Sequence, residues 1–202
     1  MKRLFTHAIC MVSLIIICNK VKAQSTDKIY LSLGPEFGIP VNTVSDPYYN
    51  TRGIYKDGFG GSFKLELPVL PQLHVTITAG YMSFKAATRY VAYPGAAPGP
   101  YLLGGIATIN GPPYEYIPLK AGLRYYMVRH FYIEGEAGDA IKANSVTTSQ
   151  FIYAGGLGGI IPIQKRSSID IGVRFERGFK SVDYNYSMGE VDFRVAYRYQ
   201  FK

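Results

Sequence analysis

From residue 28 to residue 201, large apolar side chains recur at every second position in eight separate segments of roughly ten residues. Strand side chains alternate between two faces, so this period fixes extended chain with one greasy side and one polar side. In 28–39 the apolar set is Ile29, Leu31, Leu33, Phe37 and Ile39, against Lys28, Tyr30, Ser32, Gly34, Glu36 and Gly38. Phe59, Gly61, Phe63, Leu65 and Leu67 then oppose Gly58, Gly60, Ser62, Lys64 and Glu66, and Leu73 to Tyr81 oppose His74, Thr76, Thr78 and Gly80. The pattern repeats around Ile117–Tyr125 with Lys120, Gly122 and Arg124, and around Phe131–Ala137 with Tyr132, Glu134 and Glu136. Three more runs follow at 151–161, 169–176 and 191–201.

A soluble sandwich also alternates. Three features separate this chain from one. The charged residues fall almost wholly on one face, whose other members are Gly, Ser, Thr and Ala. The opposite face is large and aliphatic, with Tyr and Phe towards the segment ends, as a lipid-facing band with aromatic girdles requires. Connections alternate short (68–72, 128–130, 162–167) and long (40–57, 85–113, 139–149, 179–189), the rhythm of tight periplasmic turns and longer outer loops. Ten residues at about 3.3 Å, tilted by about 40°, rise about 25 Å, the height of such an apolar band. Closing the first strand on the eighth leaves no unpaired edge in lipid. The expected fold is an all-β, eight-stranded antiparallel transmembrane barrel.

The start of the chain reads as a cleaved signal peptide over 1–23: Lys2 and Arg3, an apolar stretch from Leu4 to Cys18, and a closing Val21-Lys22-Ala23. That stretch is shorter than the roughly 20 residues of a spanning helix. The barrel domain is then 24–202, delivered to the bacterial outer membrane. Both cysteines, Cys10 and Cys18, fall in the leader, so the barrel has no disulfide or thiol chemistry. Losing Lys2, Arg3, Lys20 and Lys22 halves the formal charge of +8, and what remains is too dispersed for a nucleic-acid partner. The glycine-rich run Ala154-Gly155-Gly156-Leu157-Gly158-Gly159 lacks the Gly-Lys-Ser/Thr ending of a phosphate loop and reads as a strand with small inward residues.

The inward face carries the chemistry. Its acids are Glu36, Glu66, Glu134, Glu136, Asp170, Glu176 and Asp192; its bases are Lys28, Lys64, Lys120, Arg124, Arg174, Arg194 and Arg198. Eight strands enclose just enough room for side chains, so these groups are expected to form a closed ion-pair network in which Glu66, His74, Arg124, Glu134, Glu136, Arg174, Arg194 and Arg198 are central. A tight turn centred on Arg129 puts Arg124 opposite Glu134, and one centred on Leu70 puts Glu66 opposite His74. Paired carboxylates such as Glu134 and Glu136 can perform acid–base work, but in a plugged lumen ion pairing accounts for them. His74 and His130 both fall at the short-turn end without a Ser or Asp partner, and two isolated histidines make a poor metal site. No catalytic set, metal site or cofactor is expected.

The outer loops offer Tyr48, Tyr49, Tyr90, Tyr93, Tyr101, Tyr184 and Tyr186. Tyrosine provides rigid, amphipathic contact area. Interfacial aromatics dipping into the outer leaflet are the competing reading, in a chain with no Trp.

The segments Gly34-Pro35-Glu36-Phe37-Gly38, Tyr116-Ile117-Pro118-Leu119-Lys120, Leu123-Arg124-Tyr125-Tyr126, Phe131-Tyr132-Ile133-Glu134-Gly135-Glu136-Ala137-Gly138 and Tyr197-Arg198-Tyr199-Gln200-Phe201 resemble the Bacteroidetes-type outer-membrane β-barrel domain family, often called PorT-like. The resemblance spans essentially all of 24–202. It implies an outer-membrane barrel of eight strands whose aromatic last strand is recognised by the insertion machinery, although this chain ends Phe201-Lys202 and not on the aromatic. Such motifs are strand patterns and carry no catalytic signature. The expected function is a non-enzymatic, monomeric barrel in outer-membrane lipid, a structural or interaction protein presenting its tyrosine-rich loops. A component of a protein secretion or envelope-assembly machine, with an envelope protein as partner, and a small-solute channel are the alternatives.

Overall fold

A computed structural model describes residues 28–41, 55–93, 105–144, 149–178 and 189–201, with only the backbone described in 89–93 and 105–110. The expected leader, 1–23, lies outside these residues.

Alternation is realised as ten strands: β1 (Tyr30–Pro40), β2 (Tyr55–Pro68), β3 (Leu73–Ala86), β4 (Thr88–Tyr93), β5 (Gly105–Asn110), β6 (Tyr114–Val128), β7 (Phe131–Lys142), β8 (Gln150–Pro162), β9 (Ser167–Gly178) and β10 (Gly189–Gln200). Eight close an antiparallel barrel in the order β1-β10-β9-β8-β7-β6-β3-β2. The remaining two, β4 and β5, pair only with each other as a separate hairpin. The connection 85–113, expected as loop, therefore holds regular structure: Thr88-Arg89-Tyr90-Val91-Ala92-Tyr93 and Gly105-Ile106-Ala107-Thr108-Ile109-Asn110 are rich in the β-branched and aromatic residues that favour strands. Barrel strands also run further towards the long loops than the apolar band does. β7 continues through Asp139 to Lys142 where a loop from 139 was expected, because a ladder persists as long as its backbone partners do.

The two faces separate cleanly. Leu33, Phe59, Phe131 and Leu157 are 64%, 62%, 60% and 59% exposed, while Lys64, Lys120 and Arg124 inside the barrel are 1%, 2% and 1% exposed. This inversion of a soluble protein leaves a continuous apolar exterior far larger than water tolerates around a monomer. On three neighbouring strands Phe37, Phe59 and Phe193 lie in register, with the Phe37 and Phe59 rings 4.9 Å apart.

Prolines mark where the ladder opens. Pro118 pairs with Ala140 on one side, but the β3–β6 register is interrupted between Ala79–Leu119 and Met82–Tyr116. Pro35 keeps its β2 partner Gly61, while the β1–β10 register skips from Leu33–Tyr197 to Glu36–Arg194. A residue without an N–H cannot serve both neighbours. Beside Pro35, a Cβ on Gly34 would collide with the Val195 carbonyl and the Ala196 backbone, so the strands approach closely there.

The inside of the barrel is packed with side chains. Towards the long loops it holds an apolar cluster, Met82, Phe84, Tyr116, Ala140 and Ile152, with Tyr55 and Tyr114 packed against it. Small residues opposite large ones make the space. The Tyr132 ring lies where a Cβ on Gly158 would stand. Gly158→Ala is expected to cost about 1–3 kcal/mol by overpacking, read as a lower urea midpoint for the barrel; an unchanged midpoint would mean that Tyr132 has room to move.

Candidate functional site: the packed lumen and its mouth

Each barrel strand brings a polar side chain inward every second residue, and the closed wall leaves those groups only one another. Near the short turns, Glu66 is the hub. It receives His74 Nδ1 at 2.5 Å, Arg198 Nη2 at 3.0 Å, Arg124 Nη1 at 3.2 Å and the Tyr126 hydroxyl at 2.7 Å. Arg198 sits over Tyr30, its guanidinium carbon 3.5 Å from the ring centroid, which extends the cluster into the mouth.

One layer up, Arg124 forks between Glu134 (Nε–Oε2 2.9 Å, Nη2–Oε2 2.8 Å) and Asp170 (3.0 Å), with its guanidinium 3.7 Å over the Tyr132 ring. Tyr132 donates to the other Asp170 oxygen at 2.5 Å. Lys64 bridges Glu134 at 2.5 Å and Glu136 at 3.0 Å. Arg194 donates to the hydroxyls of Ser62 and Ser32, both at 2.9 Å, and reaches Glu36 at 3.3 Å. Above these, Arg174 holds Glu36 at 2.7 Å and Asp192 at 3.2 Å, and Lys120 pairs with Glu176 and, at 3.5 Å, with Glu136. Thr78 caps Glu136 at 2.6 Å. All eight residues singled out from the sequence for the network thus meet within one connected cluster, and no two belong to separate sites.

Three details differ from the expectation. Glu66 is in register with Thr76, and His74 with Pro68, because the connecting turn is centred on Pro71, one residue further along than Leu70. Val69 and Leu70 both donate to the Leu73 carbonyl, which sets that turn. Glu66 and His74 still touch, diagonally across one strand step. The Arg129-centred turn does place Arg124 opposite Glu134. Lys28, counted as an inward base, is exposed at the mouth, since it lies outside β1. And the acids of the lumen include Glu190, 3% exposed, which the sequence reading missed. Extending the alternation of Asp192, Arg194 and Arg198 by one step towards the loop would have found it. Tyr116 and Tyr132, also buried hydrogen-bonding members, occupy inward positions by the same rule.

The short-turn end opens into a pocket of about 360 Å³, lined by Lys28, Arg129, Arg198 and His74 together with Tyr30 and Tyr126. The β-bulge between Tyr126 and Val128 shapes its rim. Of the loop tyrosines, Tyr90 and Tyr93 lie on β4, where the backbone alone is described, and Tyr48, Tyr49, Tyr101, Tyr184 and Tyr186 lie outside the described residues.

No family description and no curated relative matches the sequence. Among solved structures, the chain is similar to the outer membrane protein OprG from Pseudomonas aeruginosa (12% identity, TM-score 0.49, covering 86% of this chain and 95% of that one). It is also similar to Ail, the attachment invasion locus protein of Yersinia pestis (13%, 0.47, 86% and 98%), and to the outer membrane protein AlkL determined in lipid bilayers (12%, 0.44, 89% and 94%). Resemblances this distant carry nothing about what the chain binds or does.

Proposed function

We propose that this chain is a non-conducting, non-enzymatic barrel of the bacterial outer membrane that acts through its two ends, as a structural or interaction protein. One observation carries the reading: the barrel cross-section is filled by interlocked charged side chains, with Lys64, Lys120 and Arg124 almost wholly buried. Ions crossing such a lumen would have to break several buried ion pairs at once, each costly to part. The apolar exterior supports lipid as the solvent of the wall. The even strand count leaves both ends of the wall with the short turns, and in this reading that end faces the periplasm and the long loops face outward.

A planar bilayer tests this. Refolded protein is expected to give no unitary conductance steps, and reproducible steps from protein with intact β-structure would overturn the reading in favour of a small-solute channel.

A second reading is favoured by the mouth pocket. The strand motifs resemble PorT-like barrels, and a cation-lined cavity of about 360 Å³ at the short-turn end is a place for a periplasmic partner to engage. On that reading the protein is one subunit of a secretion or envelope-assembly machine. Native purification in mild detergent distinguishes the two: a stoichiometric envelope protein supports the subunit, and recovery as a lone monomer supports the autonomous surface protein with its tyrosine-bearing loops.

A further inference from the structure

The charge balance of the lumen fails at one place. Glu176 and Glu190 face each other across β9 and β10, in direct register, with Asp192 one inward step away. Like charges opposite each other weaken a strand pair even at a surface, and here all three residues are buried. Lys120 answers Glu176, and Arg174 answers Asp192. For Glu190 there is no cation within ion-pair distance among the described residues; the Tyr116 hydroxyl, which it shares with Glu176, is its hydrogen-bond donor. Glu190 Oε2 and Asp192 Oδ1 are buried and have no hydrogen-bond partner.

A buried carboxylate oxygen left without a partner is neutralised either by a proton or by a metal ion. The geometry fits one. Glu176, Glu190 and Asp192 each offer an oxygen within 4.8 Å of the others. Oxygens bound to Ca²⁺ at about 2.3–2.6 Å lie at most about 5 Å apart, whereas the shorter bonds of Mg²⁺, about 2.0–2.1 Å, demand a tighter cage. A cavity of about 10 Å³ adjoins Glu176 and Glu190 and is bordered by further oxygen donors on Tyr114, Tyr116 and Gln150. That is room for one water-sized ligand.

We propose that Glu176, Glu190 and Asp192 hold a divalent cation of hard, calcium-like chemistry beside the apolar cluster of Phe84, Met82 and Ile152. The cation stitches β9 to β10 near the loop end and neutralises the Glu176–Glu190 repulsion. This site is independent of the role proposed above: a barrel that conducts or recruits a partner could still bind the ion.

The test uses full-length barrel refolded in detergent micelles with EDTA, CaCl₂ or TbCl₃ present from the start, because the site is closed once folded. Tb³⁺ excited through tyrosine is expected to luminesce, with Tyr116 hydrogen-bonded to two of the ligands, and excess Ca²⁺ is expected to quench it. Calcium should raise the urea midpoint over the EDTA sample. Glu190→Gln, close to isosteric, should weaken Ca²⁺ binding at least tenfold and remove the calcium-dependent shift while the protein still folds. Asp192→Asn, which keeps the strand but loses a ligand charge, should do the same.

Luminescence and stabilisation that persist unchanged in both variants would assign the ion to exposed carboxylates and overturn the proposal. So would a wild-type barrel indifferent to calcium, with Glu190→Gln equally stable in EDTA; Glu190 would then carry a proton in place of a metal.

Discussion

Replacing Arg124 by alanine is expected to lower the stability of the barrel by about 3–5 kcal/mol. One guanidinium joins Glu66, Glu134 and Asp170 at 2.8–3.2 Å and covers the Tyr132 ring. Removing it takes the shared cation from three buried carboxylates, each left with one weaker-placed or already shared partner: Arg198 at Glu66, Lys64 at Glu134 and Arg194 at Asp170. Urea unfolding followed by heat-modifiable gel mobility reads the loss directly, since folded barrel migrates apart from unfolded chain. Arg124→Lys should recover only part of it: an ammonium is a point charge and cannot reproduce the fork between Glu134 and Asp170. A midpoint within experimental scatter of wild type for Arg124→Ala would mean that the lumen is wet enough to solvate what the arginine leaves behind.

The second large effect lies on the opposite face. Leu157, 59% exposed and flanked in register by Ile133 and Val173, stands well inside β8. Leu157→Arg should cost about 2–4 kcal/mol when the protein is refolded into lipid, the penalty for a cation near the bilayer midplane. In a soluble protein the same exposed substitution would be nearly neutral, within about 0.5 kcal/mol. Comparing vesicles with a zwitterionic detergent micelle separates the two cases: a large cost in vesicles with a smaller one in the micelle is expected, and no cost in either would remove lipid from the account of the exterior.

Much of the molecule could be read from single residues because both solvents of a barrel wall write the same two-residue period, one apolar and one polar. Glu134 and Arg124 were placed opposite each other by the length of a tight turn alone. Glu66 and His74 were not, because the prolyl turn at Pro71 is one residue longer on one side than symmetry suggests. Glu190 escaped notice for a different reason. It belongs to the part of β10 beyond the apolar band, where Gly189 begins the strand and the outward neighbours no longer announce it. The apolar cluster was hidden likewise: Met82 and Phe84 sit on the inward, supposedly polar face, past Tyr81, where the reading of that strand stopped. Which acid meets which base across the lumen depends on the stagger between all eight strands, and no single hairpin encodes it. The hairpin β4–β5 was masked by prolines and glycines around it, which favour loops on composition although the two short strands themselves do not.

The inward arginines of the last two strands have a consequence for how the chain comes together. Arg194 reaches Ser32 and Ser62, Arg174 reaches Glu36, and Arg198 reaches Glu66, so each ties β9 or β10 to β1 or β2. These partners are 132–162 residues apart in sequence. None of the ties can exist in a nascent sheet of six or seven strands, and all of them appear together when the first strand meets the last. Sealing the cylinder and forming these four ties are therefore one event, and a chain shortened by a terminal strand forfeits the ties that strand carries along with two ladders.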